Sequence, residues 1–101
     1  MNKGKVVLVP FPFDDLSTTK VRPAVCLTEP IDIYGHIILA FITSRISANV
    51  LETDIILEPT HVDFLATGLQ KPSILKLNRL MTVRKTLIRR EIGNISPALQ
   101  L

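Results

Sequence analysis

The sequence predicts a small, mainly β protein built as a strongly bent sheet or small barrel. Two observations carry this. Short runs rich in Val, Ile and Leu recur along the chain, each bounded by turn residues. The chain is 47% hydrophobic but only 5% aromatic, so aliphatic and β-branched side chains must build its core. With 101 residues it is long enough for one domain, and a mean hydropathy of +0.33 argues against disorder.

The elements follow in order. Residues 5–9 (KVVLV) read as a first strand, ended by Pro10 and Pro12, which cannot donate to a ladder. Residues 21–28 (VRPAVCLT) read as a second, with Pro23 close to its start. Residues 36–43 (HIILAFIT) are hydrophobic at both parities, so this third strand should be covered on both faces. Residues 53–57, 73–77, 80–83 and 86–92 complete a set of seven. Helix is scarce. Residues 61–67 suit one or two turns ended by Gly68 as a C-cap. Ser96-Pro97 has the form of a helix start with little chain after it.

Twelve Lys and Arg against nine Asp and Glu leave a net charge of +3, which suits an anionic partner without requiring one. Cys26 is the sole cysteine, which excludes an intrachain disulfide and a four-cysteine zinc site and fits a reducing cytoplasm. The apolar stretch after the N-terminal lysines is broken by Pro10, Pro12, Asp14 and Asp15, so no export signal or membrane segment is predicted. His36 and His61 sit in no metal-ligand spacing and read as hydrogen-bonded structural residues. Cys26 reads as core packing.

Residues 10–20 (PFPFDDLSTTK) form a connection far longer than the two to five or so residues that adjacent antiparallel strands need. Such loops are often lids or binding loops; a decorated hairpin is the plainer alternative. Arg22 stands where this loop enters a core strand, held extended by Pro23 and sharing a face with Ala24 and Cys26. An arginine fork there matches two phosphate oxygens. The alternative is a structural arginine paired with Asp14, Asp15 or Glu29. Thr43, Ser44 and Arg45 end the most apolar strand and offer two hydroxyls and a cation to an oxyanion, although Thr-Ser is also ordinary turn chemistry. Lys71 and Ser73 offer the same at a turn. Arg84-Lys85 and Arg89-Arg90 read as solvated faces that could help hold an RNA backbone.

These pieces, in this order, resemble the MazF/PemK toxins of toxin–antitoxin pairs. The matching segments are GKVVLVPFPF (4–13), KVRPAV (20–25), ILAFITS (38–44), DI (54–55), GLQKPS (68–73) and TVRKTLIRREIG (82–93). The short elements are unspecific singly; six collinear segments over nearly the whole chain are specific.

The resemblance implies a single domain over residues 1–101: an SH3-like barrel of the CcdB/MazF type, with about six or seven antiparallel strands and one or two short helices. It implies a homodimer, a cognate antitoxin and, without cofactor or metal, cleavage of single-stranded RNA by its own 2′-hydroxyl. Carried over by position, the catalytic arginine falls on Arg22 and the catalytic threonine on Thr43. The lid falls on residues 10–20. Phe13, Lys20, Ser44, Arg45, Lys71 and Ser73 are the expected RNA contacts, with Phe11 and Phe13 either stacking on bases or packing in the core or dimer. The general base is open: arginine is a poor proton acceptor, Ser17 and Lys20 stand where some members carry a carboxylate, and Asp14 and Asp15 are the candidates. The C-terminal helix of the family is shortened. A non-catalytic module of the CcdB kind, acting on gyrase, is the alternative, and a decayed toxin that only binds its antitoxin is a third.

Overall fold

The computed structural model describes residues 3–11, 20–45 and 50–95, with the side chains of Phe11 and Lys20 outside the description. Among the described residues six antiparallel strands make one sheet: β1 (Lys5–Phe11), β2 (Lys20–Cys26), β3 (His36–Thr43), β4 (Asp54–Leu57), β5 (Ser73–Arg84) and β6 (Arg90–Asn94). Their order is β4-β5-β3-β2-β1-β6. A 3₁₀ turn at Leu65–Thr67 lies between β4 and β5 in the chain and packs against β6 at the far edge, so the sheet curls into a half-barrel. A second 3₁₀ turn, Lys85–Leu87, joins β5 to β6. Among the described residues no helix is long and apolar enough to cross a membrane.

Alternation along the central strands splits the core in two. Val6, Val25, Ala40, Ile42, Leu57 and Leu75 gather on one face with Phe64 and Ile95. Val7, Val9, Ala24, Cys26, Ile37, Leu39 and Val83 gather on the other. β3 contributes to both, as its two-parity hydrophobicity requires. Gly68 takes the left-handed conformation (φ 77°) expected of a C-cap, its amide donating to the Leu65 carbonyl.

Three expectations are corrected. Pro10 does not end β1, which continues to Phe11. The Leu8 carbonyl accepts from the Arg89 amide, so even-numbered residues of β1 turn their backbone toward β6. Pro10 lies beyond the last β1–β6 pair, Leu8↔Arg90, where no ladder bond is forfeited. Second, the strands expected at 73–77 and 80–83 are one strand. The pairs Ala40↔Leu80 and Phe41↔Lys76 leave Leu77, Asn78 and Arg79 without counterparts on β3: a bulge, not a break. Third, the last strand begins at Arg90, because residues 85–89 carry the chain from β5 to the opposite edge; the Lys85 amide donates to the Gly35 carbonyl there.

Candidate functional site

The site begins with a ladder that stops. The Leu27 amide donates to the Ile38 carbonyl, so odd-numbered residues of β2 turn their backbone toward β3. Position 23 is next in that series after Val25, and a proline there has no N–H to give. Pairing accordingly ends at Ala24↔Phe41. Continued by two residues, that register sets Arg22 opposite Thr43. Paired residues of an antiparallel sheet present their side chains on one face. Past Pro23 the two strands are no longer tied, and a groove of about 720 Å³ opens there, lined by both Arg22 and Thr43.

The same groove gathers Ser44, Arg45, Lys71 and Ser73. The Arg45 amide donates to Thr43 Oγ1 (3.1 Å), a turn that fixes the hydroxyl oxygen and leaves its proton for an acceptor in the groove. Ser73 is buried, and its hydroxyl donates to the Lys71 carbonyl (2.9 Å). It therefore holds the turn and presents only lone pairs outward. Phe13, the Lys20 side chain, Asp14, Asp15 and most of the lid expected over residues 10–20 lie outside the described residues.

Sequence reasoning passed over Lys76 and Arg79, which also line the groove. The available signal was a pair of opposite charges, Asp54 at the head of β4 and Lys76 within the apolar first half of β5. The two face each other across β4 and β5, with Lys76 Nζ 2.8 Å from Asp54 Oδ1. The hydrogen bond from Lys76, then that from the Leu51 amide, holds the Asp54 carboxyl below the usual carboxylate range.

Five cations therefore line the groove, and no Asp, Glu or His does so among the described residues. Arg22, Arg45, Lys71 and Arg79 have no ion-pair partner there. Glu29, considered as a partner for Arg22, instead accepts the Lys3 amide (3.0 Å). The histidines stand apart. His36 Nδ1 lies 2.7 Å from Asp32 Oδ2, and His61 Nδ1 accepts the Asp63 amide (3.0 Å). Cys26 is buried in the core. Among the described residues no group of three or more His, Cys, Asp or Glu side chains is placed to hold a metal ion.

Comparison with known proteins decides the family. A family model described as "PemK-like, MazF-like toxin of type II toxin-antitoxin system" matches residues 2–100. The chain belongs to this toxin family. Among solved structures the toxin is similar to the Mycobacterium tuberculosis toxin MazF-mt6, with a TM-score of 0.69 and 18% identity over 94% of this chain and 83% of that one. Identity that low speaks for the fold. No curated sequence matches the toxin. Membership in a toxin–antitoxin family gives it an antitoxin as partner.

Proposed function

We propose that the toxin is a metal-independent endoribonuclease that cuts single-stranded RNA, mRNA among it, by attack of the RNA's own 2′-hydroxyl. One observation carries the reading: Arg22 and Thr43 line one groove, among cations and without a described carboxylate. In the reaction the 2′-oxygen bonds to phosphorus, the bond to the 5′-oxygen breaks, and a 2′,3′-cyclic phosphate and a 5′-hydroxyl result. The 2′-proton leaves to a base and the 5′-oxygen gains one. Negative charge grows on the equatorial phosphate oxygens, where the Arg22 fork and the Thr43 hydroxyl donate. Ser44, Arg45, Lys71 and Ser73, with Lys20 and Phe13 from the lid, hold the strand. Asp14 and Asp15 are the proposed proton acceptors. The toxin acts in the cytoplasm as a homodimer.

The test is incubation with a long unstructured RNA in excess chelator. Discrete fragments with 5′-hydroxyl ends are expected. Arg22→Ala should cut at least about 10²–10³-fold more slowly, as loss of one preorganised donor does, with an unchanged melting temperature. Intact RNA in the presence of folded wild-type protein overturns the proposal, and toxicity relieved by a gyrase mutation would select the CcdB-like alternative.

A further inference from the structure

The β5 side of the groove holds a cation fixed more firmly than its neighbours. Lys76 Nζ reaches both carboxylate oxygens of Asp54, at 2.8 and 3.0 Å, and Oδ2 also accepts the Leu51 amide at 2.9 Å. The Asp54 side chain is 1% exposed and that of Lys76 18%, so the carboxylate lies beneath the ammonium and the ammonium faces the groove. Beside it, the bulge at Leu77, Asn78 and Arg79 turns Leu77 against the core and Arg79 into the groove. Thr43 pairs with Ile74 and Phe41 with Lys76, which makes Lys76 a diagonal neighbour of Thr43 on one face. Such neighbours lie about 7–8 Å apart, comparable with the spacing of successive phosphates along an extended single strand.

We infer that Lys76 and Arg79 form a second phosphate subsite, which binds a phosphate flanking the scissile one, with Asp54 as the residue that positions Lys76. The inference rests on the ribonuclease reading and deepens it. A fixed point charge and an exposed fork, one backbone step from the reacting phosphate, set which linkage comes to rest against Arg22 and Thr43. They act on binding and register, not on the bond-making step.

The experiment uses a short single-stranded RNA carrying 2′-deoxyribose at the mapped cut position, so that it binds without being cut. Affinity is measured across about 50–200 mM salt. Each phosphate contact contributes about 0.7 to the slope of log affinity against log salt on single strands. Arg79→Ala should lower the slope magnitude by about 0.7, and so should Lys76→Met. Lys76→Met strands a buried carboxylate and is therefore also made together with Asp54→Asn. Replacing one flanking phosphate by an uncharged methylphosphonate should weaken wild type and leave a variant lacking both cations unaffected. Asp54→Asn should weaken binding at that same phosphate, but not further once Lys76 is replaced, which a merely structural role would not produce. In cutting assays of unmodified RNA, the loss should fall on KM more than on kcat. Unchanged slopes in variants of a wild type that binds and cuts RNA overturn the subsite alone. A wild type that neither binds nor cuts overturns the subsite and the ribonuclease together.

Discussion

Two regions of the curled sheet, its seam at β6 and the gap between β2 and β3, are built on opposite terms. Where the 3₁₀ turn at Leu65–Thr67 meets β6, main chain lies on main chain. A Cβ added at Gly68 would stand 2.1 Å from the Ile92 carbonyl oxygen, and one at Gly93 would stand 2.3 Å from that of Ala66. Thr67, fully buried, donates to the Phe64 carbonyl (2.6 Å) and accepts the Leu69 amide (3.1 Å), so its hydroxyl is satisfied on both sides. Between the central strands β2 and β3 one missing N–H, that of Pro23, stops the ladder, and charged side chains line the gap. The groove is therefore a local interruption in a sheet whose closure is secured elsewhere. Four of the five groove cations, Arg22, Arg45, Lys71 and Arg79, can stand without an ion-pair partner among the described residues because the seam makes no use of them.

The largest expected effect tests the closed seam. Gly68 and Gly35 both have φ 77°, so alanine at either meets the same backbone strain. They differ in space: the added Cβ at Gly35 would find only Lys85 Cβ at an ordinary 3.7 Å, whereas at Gly68 it would meet fixed backbone. Gly35→Ala should cost about 1–2 kcal/mol. Gly68→Ala should cost about 4 kcal/mol or more, a fall in melting temperature of roughly 15–30 °C for a domain of this size. Equal losses in thermal denaturation would show that the seam is not held by backbone contact.

The gap between β2 and β3 is tested by restoring its hydrogen bond. Pro23→Ala supplies an N–H on the side of β2 that faces β3, and it frees Arg22 from the extended geometry that a following proline imposes. The ladder should lengthen by one pair toward Ile42, and the Arg22 and Thr43 backbones should be drawn to sheet spacing. Stability should change by no more than about 1 kcal/mol. Cutting should slow by up to about 10²-fold, the order expected when reacting groups shift by an ångström. Protection of the new amide in hydrogen exchange, together with the cutting rate, checks both halves. A variant that cuts like wild type means that the proline does not shape the site.

This contrast also marks what could be read from the chain. The two-parity hydrophobicity of HIILAFIT gave a strand buried on both faces, and Gly68 announced its cap, because both signals are local. That Arg22 and Thr43 would share one groove was legible through their segments' resemblance to a family and through their positions at strand ends. What the sequence could not carry was direction. Pro10 and Pro23 are alike on paper, yet Pro10 faces the vacant side of its strand and forfeits nothing, while Pro23 faces its neighbour and ends the pairing. Asn78-Arg79 looked like a gap between strands because a bulge and a turn use the same residues. Lys76 was hidden for a related reason: its partner Asp54 lies on another strand, and only the register brings them together.

The smallest expected effect follows one face of β2 from the groove into the core. Arg22, Ala24 and Cys26 alternate on that face; Arg22 is exposed and Cys26 is 1% exposed. Burial, and secondarily the charges of Glu29 and Glu91, push the Cys26 thiol up to about 11. The fold thus favours the neutral thiol, whereas the unfolded chain ionises near the ordinary value of about 8.5. The unfolded state loses its proton first as pH rises, so Cys26's contribution to stability is intact below about pH 8.5 and declines from there toward 11. Denaturant midpoints should show this alkaline limb, and Cys26→Ala should flatten it. At pH 8, alkylation of the wild-type thiol should proceed only as fast as the core opens, and should slow when denaturant is withheld. Rapid alkylation of the folded protein would mean that the closed character of the sheet ends before Cys26 and that the groove reaches further along β2 than the splay at Pro23.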